Sequence, residues 1–179
     1  MNSNKIELLE NFADHCLFFS PGKQVQNIKL DKALIHARNR HTLPGFIWLS
    51  LHQPTEAQMS MVAEVFNIND LLIEDAASAI QRPKAERYDD QLFYALHSIS
   101  YSDFDKRLGS VRSAGLVIQT GTVQMIVGTG FIVTIRHNTQ LPDVLKYLAE
   151  DPELIDGGPL SIVWAISDRY RRYLFAGCY

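Results

Sequence analysis

The chain has 179 residues, which is the size of one ordinary domain and too short for a large multidomain assembly. Hydrophobic residues make up 46% and charged residues 21%, and this balance excludes a disordered, collagen-like or coiled-coil protein. The formal net charge is -3, without a long run of one sign, so we expect no nucleic-acid partner.

The cysteines and the N-terminal residues indicate the compartment. Cys16 and Cys178 lie near opposite ends of the chain, too few and too far apart in sequence to suggest a disulfide framework or a Cys-x-x-Cys metal site. Glu7, Glu10 and Asp14 interrupt the first apolar stretch, which a secretory signal does not tolerate. We therefore expect a protein of a reducing, cytosolic compartment.

Strands and helices alternate in the first half of the pattern. In chain order we predict a strand over Gln24–Leu30, a short helix capped by Asp31 with Leu34 and Ala37 on one face, a turn over Thr42–Gly45 and a strand over Phe46–Leu51.

Two helices are predicted next. Thr55 and Gln58 have the spacing of a capping box, and apolar residues follow at helical spacing, namely Met59, Val62, Ala63 and Phe66. Asn67–Asp70 breaks this helix and caps a second one over Leu71–Ala79, which ends before Pro83.

Residues 113–135 contain no charged side chain and are long enough to cross a membrane as a helix. Four glycines interrupt this stretch, and its β-branched residues fall in short runs that are typical of strands. We therefore predict no membrane-spanning segment but strands over Val111–Gln119, Val123–Val127 and Phe131–Arg136, with a hairpin turn at Gly128–Gly130.

The remaining pattern completes an α/β fold with a mixed sheet. It predicts a strand over Leu92–Tyr101, a helix lined by Leu141, Val144, Leu145 and Leu148, and a final helix that begins near Pro159 and buries Leu160, Val163 and Trp164. Exposed aromatic residues in Ser167–Tyr179 indicate a piece of a longer protein.

Glu74 and Asp75 interrupt the apolar run LLIEDAASA within a short predicted helix. Adjacent helical residues point about 100° apart, so at least one of the two carboxylates reaches the surface. One interpretation is a solvated helix edge, with Asp75 paired to Arg82 or Lys84. The other is a site for Mg²⁺, which keeps most of its waters and needs only one or two protein carboxylates.

No enzyme chemistry is predicted. Gly128, Thr129 and Gly130 lack the lysine and the following helix of a phosphate loop, and no Gly-x-Ser-x-Gly elbow occurs. The six histidines have neither metal-ligand spacing on a helix nor an evident nucleophile beside them: they are His15, His36, His41, His52, His97 and His137. We therefore assign no catalytic and no cofactor-binding residue.

The segment Glu74–Leu96, EDAASAIQRPKAERYDDQLFYAL, resembles the most recognisable part of the cytoplasmic domain of CorA family magnesium and cobalt transporters. In that family an acidic pair is followed by Gln-Arg-Pro-Lys, an acid-rich link and a hydrophobic strand. Further similar segments occur in the same order over roughly residues 24–170: they are Phe46–Thr55, Val127–His137 and Glu150–Tyr170, the last leading into the family's long stalk helix.

The resemblance implies an αβα sandwich and a homopentamer, anchored by two membrane helices and carrying a Gly-Met-Asn pore motif that this chain lacks. It implies residues 1–23 as an N-terminal extension, in part helical, 24–170 as the cytoplasmic domain and 171–179 as the start of the stalk. The full protein would lie on the cytoplasmic face of the cell membrane. Without the stalk, we expect this chain to be a monomer or a weak dimer.

The resemblance also implies a regulatory metal site between subunits, held by Glu74, Asp75 and Asp168. The expected ion is Mg²⁺, with Co²⁺ also carried by the family. Three positions depart from the common pattern, Asn69, Asp70 and Ile80, so a related zinc-transporting branch of ZntB type stays open. Two further alternatives are a free-standing soluble domain and an enzyme that pairs Glu74 or Asp75 with a nearby histidine.

Overall fold

A computed structural model describes residues 13–39, 44–78, 82–102 and 117–176. It contains seven strands and five α-helices within these ranges. The strands are β1 (Ala13–Phe19), β2 (Gln26–Asn27), β3 (Phe46–His52), β4 (Lys84–Tyr88), β5 (Gln91–Ser102), β6 (Val117–Gly128) and β7 (Phe131–His137). The helices are α1 (Leu30–Arg38), α2 (Glu56–Phe66), α3 (Asp70–Ala77), α4 (Val144–Glu150) and α5 (Leu160–Ala176), with a 3₁₀ turn at Pro152–Gly157 before α5.

The strands form one sheet in the order β2-β1-β3-β7-β6-β5-β4. Neighbours pair antiparallel except β3 and β7, which run parallel with Ile47 opposite Phe131. A parallel pair needs a long crossover, and here the crossover contains α2, α3 and the β4–β6 meander. The mixed sheet of the sequence analysis is confirmed.

Helices cover both faces of the sheet, because β3 is apolar on both sides. Ile47, Leu49 and Leu51 pack with residues of α1, α2 and α3 on one face. Phe46 and Trp48 point to the other face and pack with residues of α4 and α5. The result is a three-layer αβα sandwich with two separate cores, as the resemblance implied.

Helix α2 confirms the clearest local prediction. Thr55 Oγ1 accepts from the Gln58 amide at 3.3 Å, and Gln58 Oε1 accepts from the Thr55 amide at 2.7 Å, so the capping box is complete. The predicted apolar face, Met59, Val62, Ala63 and Phe66, is buried. Asn67 ends the helix in the left-handed conformation with φ 53°.

The N-terminal region differs from its prediction. Residues 13–19 of the expected partly helical extension form β1, which pairs with β3, while residues 1–12 lie outside the described ranges. The strand expected over Gln24–Leu30 shrinks to Gln26–Asn27, since Leu30 already begins α1. Asp31 lies in the first turn of α1, and Lys29 holds the cap position. The turn expected over Thr42–Gly45 falls mostly outside the described residues.

The central strands are longer than predicted. Two of the three strands expected after residue 110 are one strand, β6, although 111–116 are not described. Gly121 pairs with Ser98 inside this strand. A Cβ there would lie 2.6 Å from Thr139 Cβ and 2.7 Å from the His137 carbonyl oxygen, so the glycine permits a close approach of the chain and does not mark a turn. The hairpin turn at Thr129–Gly130 is confirmed, with Gly130 at φ 72°.

The faces of the last two helices were assigned wrongly in part. Val144 and Leu148 of α4 and Val163 of α5 are buried as predicted. Leu145 of α4 is instead 41% exposed, since α4 buries Val144, Tyr147 and Leu148. Leu160 and Trp164 are 46% and 47% exposed, because α5 turns Ile162, Ala165 and Ile166 toward the sheet. None of the helices in the described ranges has the length and apolar character needed to cross a membrane.

Candidate cation site

Helix α3 carries Glu74 and Asp75, and its first turn is fixed by polar contacts. Asn69 Oδ1 caps the helix by accepting from the Leu71 amide at 3.0 Å. The buried side chain of Gln91 on β5 bonds to two residues of the link between α2 and α3. It accepts from the Asn69 amide at 3.1 Å and donates to the Asn67 carbonyl at 2.7 Å. The start of α3 is therefore joined to both α2 and β5.

The C-terminal end of α3 is held by two side chains of the sheet. Gln124 Nε2 of β6 donates to the Ser78 carbonyl at 2.7 Å and to the Asp75 carbonyl at 3.3 Å. His137 of β7 donates to the Ala76 carbonyl. These bonds act together with the Ser78 amide, which donates to the Asp75 carbonyl at 3.3 Å, in holding this end of the helix. The sequence analysis did not identify Gln124 or His137 in this role, although a glutamine inside the apolar run of β6 is the signal that points to one.

Asp75 lies in an ion-pair network with β4. Lys84 Nζ is 2.7 Å from Asp75 Oδ2 and 3.0 Å from Glu86 Oε2. The Tyr88 hydroxyl donates to Glu86 Oε2 at 2.6 Å and lies 3.2 Å from Asp75 Oδ2. The solvated-edge interpretation anticipated Lys84 as a partner. It did not anticipate β4, which forms within what the pattern indicated as a charged connection.

The network keeps its donors protonated. The hydrogen bond to Asp75 raises the pKa of Lys84 above its ordinary value, with Glu86 adding to the effect. The hydrogen bond to Glu86 raises the pKa of Tyr88 to about 12. Lys84 is consequently a permanent positive charge beside Asp75 at neutral pH.

Glu74 has a different environment from Asp75. Its side chain is exposed on α3, and no residue of the described ranges forms a hydrogen bond or ion pair with it. An exposed carboxylate of this kind binds the water shell of a hydrated cation at little cost in desolvation.

Asp168 is saturated by donors of its own chain. Its side chain is only 6% exposed and accepts from Tyr147 Oη at 2.8 Å, Arg171 Nη2 at 2.8 Å and Arg172 Nε at 2.6 Å. The bond from Arg171, followed by that from Tyr147, lowers the pKa of Asp168 to about 2. Asp168 is therefore an ionised, internally paired carboxylate.

Cations and aromatic rings surround Asp168. Arg169 and Arg172 lie over the Tyr147 ring, with 5.0 and 6.0 Å between guanidinium carbon and ring centroid. The Trp164 ring stacks on Tyr147 at 5.5 Å. Three arginines near one aspartate leave this part of α5 positively charged.

The structure does not bring the three predicted ligands together within one chain. Glu74 and Asp75 lie on α3 and Asp168 on α5, and these helices pack on opposite faces of the sheet. No group of three His, Cys, Asp or Glu side chains suited to a metal occurs in the described ranges. One ion that contacts all three carboxylates would have to lie between two copies of the chain.

The buried histidines do not supply an acid–base partner for the α3 carboxylates. His15, His36 and His137 have Nε2 atoms without a hydrogen-bond partner among the described residues. Burial lowers the pKa of each below the ordinary value, so all three are neutral at pH 7. His137, which reaches α3, contacts a backbone carbonyl there.

The chain matches a known protein family over most of its length. Residues 44–175 match the family described as CorA-like Mg²⁺ transporter protein. The chain is 26% identical over 128 residues to YfjQ of Bacillus subtilis (strain 168), a provisionally assigned metal ion transporter. The match covers 70% of this chain and 35% of YfjQ, so the chain spans about a third of that relative.

Solved structures share the fold. Full-length CmaX aligns with a TM-score of 0.59 at 8% identity, over 92% of this chain and 47% of that one. The CorA magnesium transporter of Methanocaldococcus jannaschii aligns with 0.52 at 10%, over 90% and 47%. The cytoplasmic domain of ZntB from Vibrio parahaemolyticus RIMD 2210633 aligns with 0.52 at 11%, over 92% and 62%. At these identities the likeness shows the fold alone.

Proposed function

Because the chain belongs to the CorA-like Mg²⁺ transporter protein family, we propose that it is the cytoplasmic, cation-sensing domain of a divalent metal ion transporter. Members of this family are ion transporters and not enzymes, in agreement with the sequence analysis. The matched residues include α3 and most of α5, so all three predicted ligands lie within the family region.

The observation that carries the sensing role is the presentation of α3. Bonds to the sheet fix both ends of this helix, while Glu74 projects into solvent beside the partly exposed Asp75. One or two protein carboxylates are enough for Mg²⁺, which retains most of its waters. The pair is therefore suited to weak binding of a hydrated ion at a subunit boundary.

The proposed mechanism is electrostatic. In a homopentamer, the acidic α3 face of one subunit would approach a neighbour, and a bound dication would offset the repulsion between their carboxylates. Loss of the ion would weaken that contact, which couples the cation concentration to the arrangement of the subunits. Asp168 would join such a site only if Arg171 and Arg172 release it, so Glu74 and Asp75 form its primary part.

The ion we propose is Mg²⁺, with Co²⁺ as a second cargo of the transporter. Carboxylate oxygens favour Mg²⁺, whereas Zn²⁺ sites are commonly built with nitrogen and sulfur ligands. The shared fold with the ZntB domain supports Zn²⁺ as the second candidate. A competition experiment, in which Mg²⁺ and Zn²⁺ are titrated against each other, distinguishes the two candidate ions.

Titration of the 179-residue chain with MgCl₂, followed by the shift in Tm at constant ionic strength, tests the proposal. We expect Glu74→Gln and Asp75→Asn each to raise the half-saturating concentration about threefold or more, because each removes a negative ligand. Glu56→Gln is the matched control, since it removes the same charge from an exposed position on α2. Equal curves for all four proteins would contradict the proposal, and saturation by micromolar Zn²⁺ but not Mg²⁺ would favour the zinc alternative.

A further inference from the structure

Lys84 places its ammonium group between two carboxylates. Nζ is 2.7 Å from Asp75 of α3 and 3.0 Å from Glu86 of its own strand. The Lys84 side chain is 23% exposed, and Nζ lies 5.2 Å from the centroid of the Phe93 ring. The position is thus fixed by two ion pairs and a ring on the neighbouring strand.

We propose that Lys84 is a tethered counter-cation that competes with the divalent ion for Asp75, and so lowers the affinity of α3 for that ion. This inference rests on the proposed function, because it concerns the same cation site. It assigns to Lys84 the setting of the concentration range in which the site responds.

Charge and geometry support competition. The ammonium already occupies Asp75 Oδ2 at hydrogen-bond distance, where an ion or one of its waters would bind. A dication and an ammonium held about 5 Å apart repel strongly enough to change an affinity by roughly tenfold, even in a solvent-screened site. A divalent ion therefore binds at Asp75 in one of two ways: Lys84 moves away, or Lys84 stays and the ion binds with much lower affinity.

The surroundings of Lys84 allow this movement. Its ammonium is a compact charge on a flexible four-carbon stem. Glu86 stays within reach of the same stem, so Lys84 keeps a partner when it leaves Asp75. The β4 backbone stays in place because it pairs with β5 from Lys84 to Tyr88. Displacement thus needs a change of rotamer and no change of fold.

Calorimetric titration of MgCl₂ into Lys84→Met and the unmodified chain tests this inference. Methionine is an unbranched side chain of similar length without the charge, so we expect Lys84→Met to bind Mg²⁺ about 3- to 15-fold more tightly. Arg87→Gln is the matched control. It removes a positive charge from the same strand, but Arg87 donates to the Asp89 carbonyl and does not contact Asp75. We expect its affinity to stay within about twofold of the unmodified chain.

Lys84→Arg adds a second test, because it keeps the charge and should keep the unmodified affinity. If Lys84→Met and Arg87→Gln shift the affinity equally, or if Lys84→Met leaves it unchanged while Asp75→Asn weakens it, the competition is refuted and the proposed cation site stands. If neither the unmodified chain nor Lys84→Met binds Mg²⁺, both ideas fail. Suppose that Lys84→Met binds Mg²⁺ tightly and that adding Asp75→Asn in a double variant abolishes this binding. That result supports both the cation site and the competition.

Discussion

Asp75 and Asp168 are two carboxylates that the sequence marks for the same role, and the fold gives them different partners. Asp75 accepts from the Lys84 ammonium and the Tyr88 hydroxyl at the sheet edge, and its side chain is 22% exposed. Asp168 accepts from two guanidinium groups and a tyrosine hydroxyl, and its side chain is 6% exposed. How readily each carboxylate accepts an external ion therefore depends on the donors already present in the chain and not on the residue type.

Desolvation explains why the two environments behave differently. A buried carboxylate that loses its partners keeps an uncompensated charge, so the Asp168 network resists disruption. A partly exposed carboxylate regains water when its partner leaves, so the Asp75 pair exchanges at little cost. We therefore assign Asp168 to the cohesion of α4 with α5, and Asp75 to exchangeable contacts.

The largest effect is expected from Asp168→Asn. The substitution leaves Arg171 and Arg172 without their carboxylate and Tyr147 without its charged acceptor, so we expect Tm to fall by roughly 5–10 °C. Asp75→Asn is the matched variant, and its Tm should change by about 2 °C or less. Differential scanning calorimetry without added divalent ions measures both. Equal losses in Tm for the two variants would contradict the different roles assigned to Asp168 and Asp75.

Acid titration gives the next effect. The folded-state pKa of Asp168 is about 2, below the ordinary 3.8, so its stabilising contribution is complete above pH 3.8 and is lost as the pH falls through 2. The difference in Tm between the unmodified chain and Asp168→Asn should therefore be constant at neutral pH and shrink between pH 4 and 2. A difference that persists unchanged at pH 2 would show that the ionised carboxylate is not what stabilises this region.

The smallest and sharpest comparison removes one hydroxyl from each network. Tyr147→Phe takes a donor from the buried Asp168, and we expect a loss in Tm of roughly 3–5 °C. Tyr88→Phe removes the hydroxyl beside Asp75 and Glu86 at the exposed edge, where water replaces it, so the loss should be under about 1 °C. A reversed order would contradict the assignment of the buried network to stability.

Local signals made much of the fold predictable. Two signals define α2: the capping box at Thr55 and Gln58, and the apolar spacing that follows it. Both signals are local, because they connect residues only three or four positions apart in the sequence. The polar break at Asn67–Asp70 likewise located the start of α3. The αβα layering itself came from the resemblance, because pattern alone predicts elements and not their stacking.

The strands β1 and β4 could not be predicted from the sequence, because they are defined by pairing with strands elsewhere in the chain. β1 contains Asp14 and His15 and lacks clean alternation, so only its pairing with β3 identifies it. β4 is charged because it is an edge strand, and charged residues are typical of loops as well. At the site, Arg171 and Arg172 stand three and four residues after Asp168, a helical spacing that signals the ion pairs. No comparable signal connects Tyr147 to Asp168.

β4 also closes one end of the sheet. Within the described ranges no strand pairs with its outer side, and such an edge is one that a strand from another molecule could extend, as in aggregation. Lys84, Glu86 and Arg87 place alternating charges along that border, and an incoming strand would have to strip them of water. Charged side chains on an edge strand disfavour such pairing in general, so a substitution that removes the Lys84 charge, chosen to sharpen ion binding, is expected to make this edge more prone to polymerisation.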